Sequence, residues 1–377
     1  MTTEIHGFCD ERFQPLKDAF EANFEDGLEV GASLALLRYG QLMVDLWAGY
    51  MDAERTRPWG RDTIVPIASI TKIATVTCLL ILIDRGLVDL DEQVATYWPE
   101  FAQGGKGHVT VREAMSHRAG VPGLDSPVAF EAVHDWAYIT ERIAAEPHWF
   151  AGESVLCYHY STYGLILGEI VRRVDGRGPA RFFREEVGEP AGIDLQIGLG
   201  SQAERARLAH RSFLGAPQLP DIDDKLVARV VGSIGPGDLD SWERQRAELP
   251  SGNGYANARA IARLAAIYGN GGELDGARYL SKSLVDEASR EQVFAREPFF
   301  GPLRMGLGFG LDSEGMPAAT PTTFHWGGQG GSLISADQAT GIGFGYAMNA
   351  FYLGLDLLEH PRFLRLWSAL GEVTSGL

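Results

Sequence analysis

Ser69 and Lys72 lie three residues apart in PIASITKI, just ahead of a long apolar run. On a helix, residues three apart share one face, one turn from each other. A serine at a helix N-terminus sits where the dipole and the free N–H groups favour developing negative charge. A lysine within reach of that hydroxyl can take its proton if burial or a second cation lowers its pKa. The pair is then a compact activated serine. The same residues also fit an N-cap serine followed by a solvated lysine. Charge weighs against that plainer reading. Lys72 is the only charged residue between Asp62 and Asp84, and a lysine inside a buried helix is costly without a partner or a task.

Two further clusters could complete such a site. CYHYSTYGLILGEIVRR places Tyr158 and Tyr160 just before an amphipathic helix pattern, and FHWGGQGGS places His325, Trp326, Gly327 and Gly328 beside a strand-like stretch. Glycines there would let backbone approach a substrate closely. Other chemistries lack their signatures: the chain has no G-x-S-x-G, no H-E-x-x-H and no G-x-x-x-x-G-K-[ST]. GLGFGL and GIGFGY lack the third glycine of a dinucleotide fingerprint, and close backbone packing explains them better. The nine histidines form no ligand cluster, so neither a metal nor an organic cofactor is expected.

In this order and at these spacings, the chain resembles the serine β-lactamase and penicillin-binding-protein superfamily. Within it, the chain is most similar to the class C β-lactamase-related group that includes the family VIII carboxylesterases. The resemblance runs from about Gly31 to Asn349 and takes in VREAMSHRAGVPG, EPAGIDLQIGL and YGNGGELDGARYLS. It implies that Ser69 is the acylated nucleophile and Lys72 the lysine of S-x-x-K. It implies that a tyrosine shuttles the proton to the leaving group. Tyr158 is favoured by its spacing to Gly152 and Gly164; Tyr160, followed by Ser161 as in the esterases, is the alternative. The N–H groups of Ser69 and Gly328 would form the oxyanion hole, with His325, Trp326 and Gly327 lining the substrate site. His117, on the family-like loop SHRAG, is read as structural.

The chain departs from the family pattern. His325 and Trp326 stand where β-lactamases and peptidases carry the lysine and threonine of K-T-G. The third position of Y-x-N is Tyr160 or Thr162. The expected function is therefore a carboxylesterase acting on small esters through an acyl-enzyme, with weak or absent β-lactamase activity. An amidase, DD-peptidase, β-lactamase or acyltransferase on the same site is the alternative, and a non-catalytic scaffold of the same fold is a rival of another class.

These residues need elements to position them. GASLALLRYGQLMVDLWAGY reads as a β-hairpin turning at Tyr39-Gly40. Residues 69–85 read as a buried helix closed by Gly86. Helical patterns dominate residues 90–235, an Ala-rich helix covers Tyr255 to Tyr268, and strand-like pieces follow before a last helix through RFLRLWSAL. The expected fold is α/β (α+β): an antiparallel sheet flanked by helices and built from both termini, with an all-helical insertion. The expected division is residues 1–80 and 236–377 for the sheet domain and 81–235 for the helical one, with the site in the cleft between them.

The bulk numbers fit a globular enzyme. The 377 residues carry a formal charge of −17, which disfavours nucleic acid and anionic membranes as partners. Three cysteines without C-x-x-C spacing and an N-terminus without an apolar core suggest a cytoplasmic protein. The longest apolar run is too short to span a membrane. The expected partner is a small-molecule ester; oligomeric state is open.

Overall fold

The computed structural model describes residues 3–213, 225–352 and 360–377. Among these, one antiparallel sheet of nine strands forms the backbone of the fold. Its order is Ile5–Cys9, Gln41–Gly49, Gly31–Arg38, Ile342–Met348, Leu333–Asp337, Thr323–Gly327, Gly310–Leu311, Gly301–Met305 and Val293–Glu297. The predicted hairpin is present. Tyr39 and Gly40 both take positive φ, 48° and 76°, the I′ geometry that matches strand twist. Strand Gly31–Arg38 then pairs with Ile342–Met348, so the two ends of the chain meet at the centre of the sheet.

Each face of the sheet is covered by helices. Gln14–Glu25 and Pro361–Ser375 pack on one face around Phe344, Tyr346 and Trp367. Helix Ala258–Gly269 lies on the other. It approaches so closely that a Cβ on Gly343 would stand 2.3 Å from the Ala266 nitrogen, and one on Gly345 2.3 Å from the Ala258 oxygen. This close packing accounts for GIGFGY in the way expected from sequence.

The helix Thr71–Asp84 runs through the main core with residues 71–82 all buried, as its unbroken apolar character predicts. It is fed by strand Val65–Ala68 of a second, three-stranded sheet with Gly254–Ala256 and Leu195–Ile197. Residue 80 thus lies inside this helix, and Leu195–Ile197 is a strand within the largely helical stretch. Gly86 closes the helix with φ 70°. Among the described residues, no helix is long and apolar enough to cross a membrane.

Candidate active site

The central helix begins at Thr71, two residues later than predicted, and Ser69 and Ile70 form a turn ahead of it. The Ser69 side chain caps no helix. Its carbonyl accepts the Lys72 N–H at 3.0 Å. Ala68, just before it, takes a left-handed φ of 44°, an uncommon conformation for a residue with a Cβ. The Thr71 hydroxyl bonds the Ala68 carbonyl at 2.5 Å and accepts the Gly254 N–H at 2.8 Å. The neighbouring strand therefore holds this tight turn in place.

Two side chains converge on Ser69 Oγ. The Tyr158 hydroxyl donates to it at 2.7 Å and Lys72 Nζ approaches at 3.3 Å. Lys72 Nζ also donates to the carbonyls of Tyr160 and Ser251, each at 2.8 Å. Burial alone pushes the Lys72 pKa well below its ordinary value. A neutral amine has two N–H groups and one lone pair. In that form the two carbonyls would occupy both N–H groups, and the lone pair would remain on the side of Ser69 Oγ.

The structure separates the two tyrosines. Tyr160 directs its hydroxyl to Gln329 Oε1 at 2.8 Å, away from Ser69. Tyr158 is buried, and burial raises its pKa far above the usual phenol value; the hydrogen bond to Ser69 only partly offsets this. It is a phenol at neutral pH, suited to giving a proton. The Trp326 indole N–H is buried and has no hydrogen-bond partner among the described residues. Tyr158 packs among Phe299, Phe300 and Trp326, each with ring centroids at 5.5 Å.

Glu297 fixes that aromatic wall, and sequence reasoning missed it. Its buried carboxylate accepts the N–H of Tyr158 at 2.8 Å, of Phe299 at 2.7 Å and of Phe300 at 3.0 Å. Ser251 was also missed. Its hydroxyl accepts the Gly164 N–H at 2.7 Å and bonds the Ser161 carbonyl at 2.5 Å, so its own carbonyl is set for Lys72. Ser251 acts through contacts distant in sequence, and Glu297 joins its own neighbours Phe299 and Phe300 to the distant Tyr158. His117 ties its loop to the residues around Tyr158. It is buried, stacks on Tyr163 at 4.1 Å and accepts the His159 N–H at Nδ1.

Two expectations for the glycine-rich segment need correction. His325 does not line the site. Successive strand residues face opposite sides; Trp326 faces Tyr158, while His325 is buried against Trp367 of the last helix at 4.8 Å. Burial lowers its pKa to about 4, so it is neutral. Gly328 is not a free oxyanion donor either. Its N–H donates to the Ser332 carbonyl at 2.8 Å, continuing the ladder between strands, and Gly327 ends its strand opposite Leu333. Gln329 follows in a turn closed by the Gly331 N–H on the Gly328 carbonyl at 2.9 Å, and its own N–H points opposite to that carbonyl. Among the described residues, the N–H groups of Ser69 and Gln329 have no acceptor.

The comparisons with known proteins bear on this arrangement. Residues 20–366 match the family model described as Beta-lactamase. The chain belongs to the beta-lactamase family. The esterases among its relatives place this beta-lactamase-family chain with the hydrolases. It is 32% identical over 388 residues to the protein named Esterase/beta-lactamase LipL from Mycobacterium tuberculosis, covering 98% of this chain and 89% of that one. A solved structure titled as a family VIII carboxylesterase has TM-score 0.88 and 35% identity, covering 98% of this chain and 100% of the other. A penicillin-binding-protein homologue from Caulobacter crescentus has TM-score 0.90 and 35% identity at the same coverage.

Proposed function

We propose that this chain is a serine carboxylesterase that works through an acyl-enzyme on Ser69. The observation that carries the reading is Ser69 Oγ held between the Tyr158 hydroxyl at 2.7 Å and Lys72 Nζ at 3.3 Å. Lys72 takes the Ser69 proton as Oγ attacks the ester carbonyl. The oxyanion is received by the N–H groups of Ser69 and Gln329, which have no competing acceptor among the described residues. As the C–O bond breaks, Tyr158 gives its proton to the departing alkoxide and regains one from Lys72. Water then attacks the acyl carbon, relieved of a proton by the same pair, and Ser69 leaves protonated.

The surroundings favour an apolar ester over a substrate held by its carboxylate. Phe299, Phe300 and Trp326 surround Tyr158. Lys72 is committed to two carbonyls, and His325 is buried on the other face. None of these supplies the cation that K-T-G offers in β-lactamases. The test is a panel of p-nitrophenyl esters beside a chromogenic cephalosporin, with wild type and Ser69→Ala. Ester turnover lost in Ser69→Ala, with the cephalosporin a poor substrate, is expected. Full ester turnover in Ser69→Ala would sink the assignment.

A further inference from the structure

The turn that carries Gln329 rests on a buried arginine. Arg362, at the start of the last helix, is 2% exposed. Its Nη2 donates to the Gly330 carbonyl at 2.9 Å, and its Nη1 to the carbonyls of Ala350 at 2.6 Å and Leu28 at 3.3 Å. Glu29 Oε2 lies 3.4 Å from Nη1, and the other oxygen of this buried carboxylate takes the Tyr346 hydroxyl. The turn lies flat on the guanidinium: a Cβ on Gly331 would stand 2.4 Å from Nη2. The Tyr352 N–H reaches the same Gly330 carbonyl at 3.1 Å.

Two peptide planes connect this guanidinium to the Gln329 N–H. The plane between Gly330 and Gly331 is held at its oxygen by Arg362, and its N–H donates to the Gly328 carbonyl at 2.9 Å. That carbonyl shares a plane with the Gln329 N–H. In a trans peptide the C=O and N–H point in opposite directions, so fixing the Gly328 oxygen aims the Gln329 N–H. Hydrogen bonds in series also polarise one another.

We propose that Arg362 is a positioning residue for the oxyanion donor at Gln329, with Glu29 compensating its buried charge. The proposal rests on the reading of Ser69 as the acylated residue. Removing one partner would strand the other, so the pair is removed together as Glu29→Gln/Arg362→Met. Wild type, this variant and Ser69→Ala are assayed with a p-nitrophenyl ester, and binding of phenylboronic acid, which mimics the tetrahedral intermediate, is measured. The expected result, with circular dichroism unchanged, is kcat lowered roughly 10- to 100-fold, KM within about threefold, and boronate affinity falling alongside kcat. A folded double variant with kcat within about threefold of wild type, or with boronate affinity unchanged, overturns the role of Arg362. If the double variant does not fold, Arg362→Lys, which keeps the charge beside Glu29 but cannot span the carbonyls of Gly330 and Ala350 as the guanidinium does, is read by the same criteria. Activity persisting in Ser69→Ala would instead overturn the underlying reading of the site.

Discussion

Tyr158 donates a 2.7 Å hydrogen bond to Ser69 Oγ, whereas the hydroxyl of Tyr160, two residues on, goes to Gln329. The backbone carbonyl of Tyr160 is nevertheless bound to Lys72 at 2.8 Å. One tyrosine thus meets the site through its ring and the other through its main chain. Tyr158→Phe should lower kcat/KM by about 10² to 10⁴. Tyr160→Phe keeps its carbonyl and should cost less than about tenfold. Steady-state kinetics of the two variants decide it, and equal losses would remove the distinction.

Lys72 is buried with its pKa held well below the ordinary value by desolvation. If it accepts the Ser69 proton, kcat/KM should fall on the acid side as it becomes ammonium, with a midpoint far below the usual lysine range. The stability consequence has a definite sign. A lysine whose folded pKa is depressed binds fewer protons in the folded chain than in the unfolded one. Between its folded pKa and about 10.4, stability therefore rises with pH, and the full penalty applies below that window. Lys72→Met should abolish turnover yet raise Tm at neutral pH. Thermal melts of an inactive, less stable Lys72→Met would contradict this.

Gln329 follows Gly328 in a turn closed by the Gly331 N–H on the Gly328 carbonyl at 2.9 Å, with φ of 100° at Gly330. That is a type II turn, whose second position accepts proline. Gln329→Pro therefore deletes the N–H with little disturbance and should lower kcat by about 10² to 10³. Gln329→Ala loses only the side-chain bond to Tyr160 and should stay within about tenfold of wild type. The ratio of the two kcat values is the measurement.

Glu297 satisfies three backbone N–H groups around the aromatic wall. Glu297→Ala would leave the buried Tyr158 N–H without an acceptor, at a cost of about 1–3 kcal/mol, and would free the half-buried N–H groups of Phe299 and Phe300. Its denaturation midpoint should drop, and kcat should fall because Tyr158 loses its backbone anchor. A folded Glu297→Ala with unchanged midpoint would show that water or a rearranged loop replaces the carboxylate.

The sequence by itself determined what depends on local pattern. Tyr39-Gly40 between β-rich runs set the hairpin, the unbroken apolar run after Ser69 set the buried helix, and the lone charge at Lys72 marked the place where burial would matter. Those signals survive because period, turn chemistry and burial are properties of neighbouring residues. The S-x-x-K pair, the tyrosines and the Trp-Gly-Gly segment in order identified the family, now borne out over most of the chain. Only the tertiary structure decided which way each group points. Strand alternation sent His325 into the core and kept Trp326 at the site. The ladder bond to Ser332 occupied Gly328 and left Gln329 free of an acceptor among the described residues. Glu297 reaches Tyr158, Ser251 reaches Gly164 and Ser161, and Arg362 reaches Gly330 and Leu28, all backbone groups far away along the chain. Hydrogen-bond direction is fixed by how distant segments pack, and spacing along the chain does not encode it.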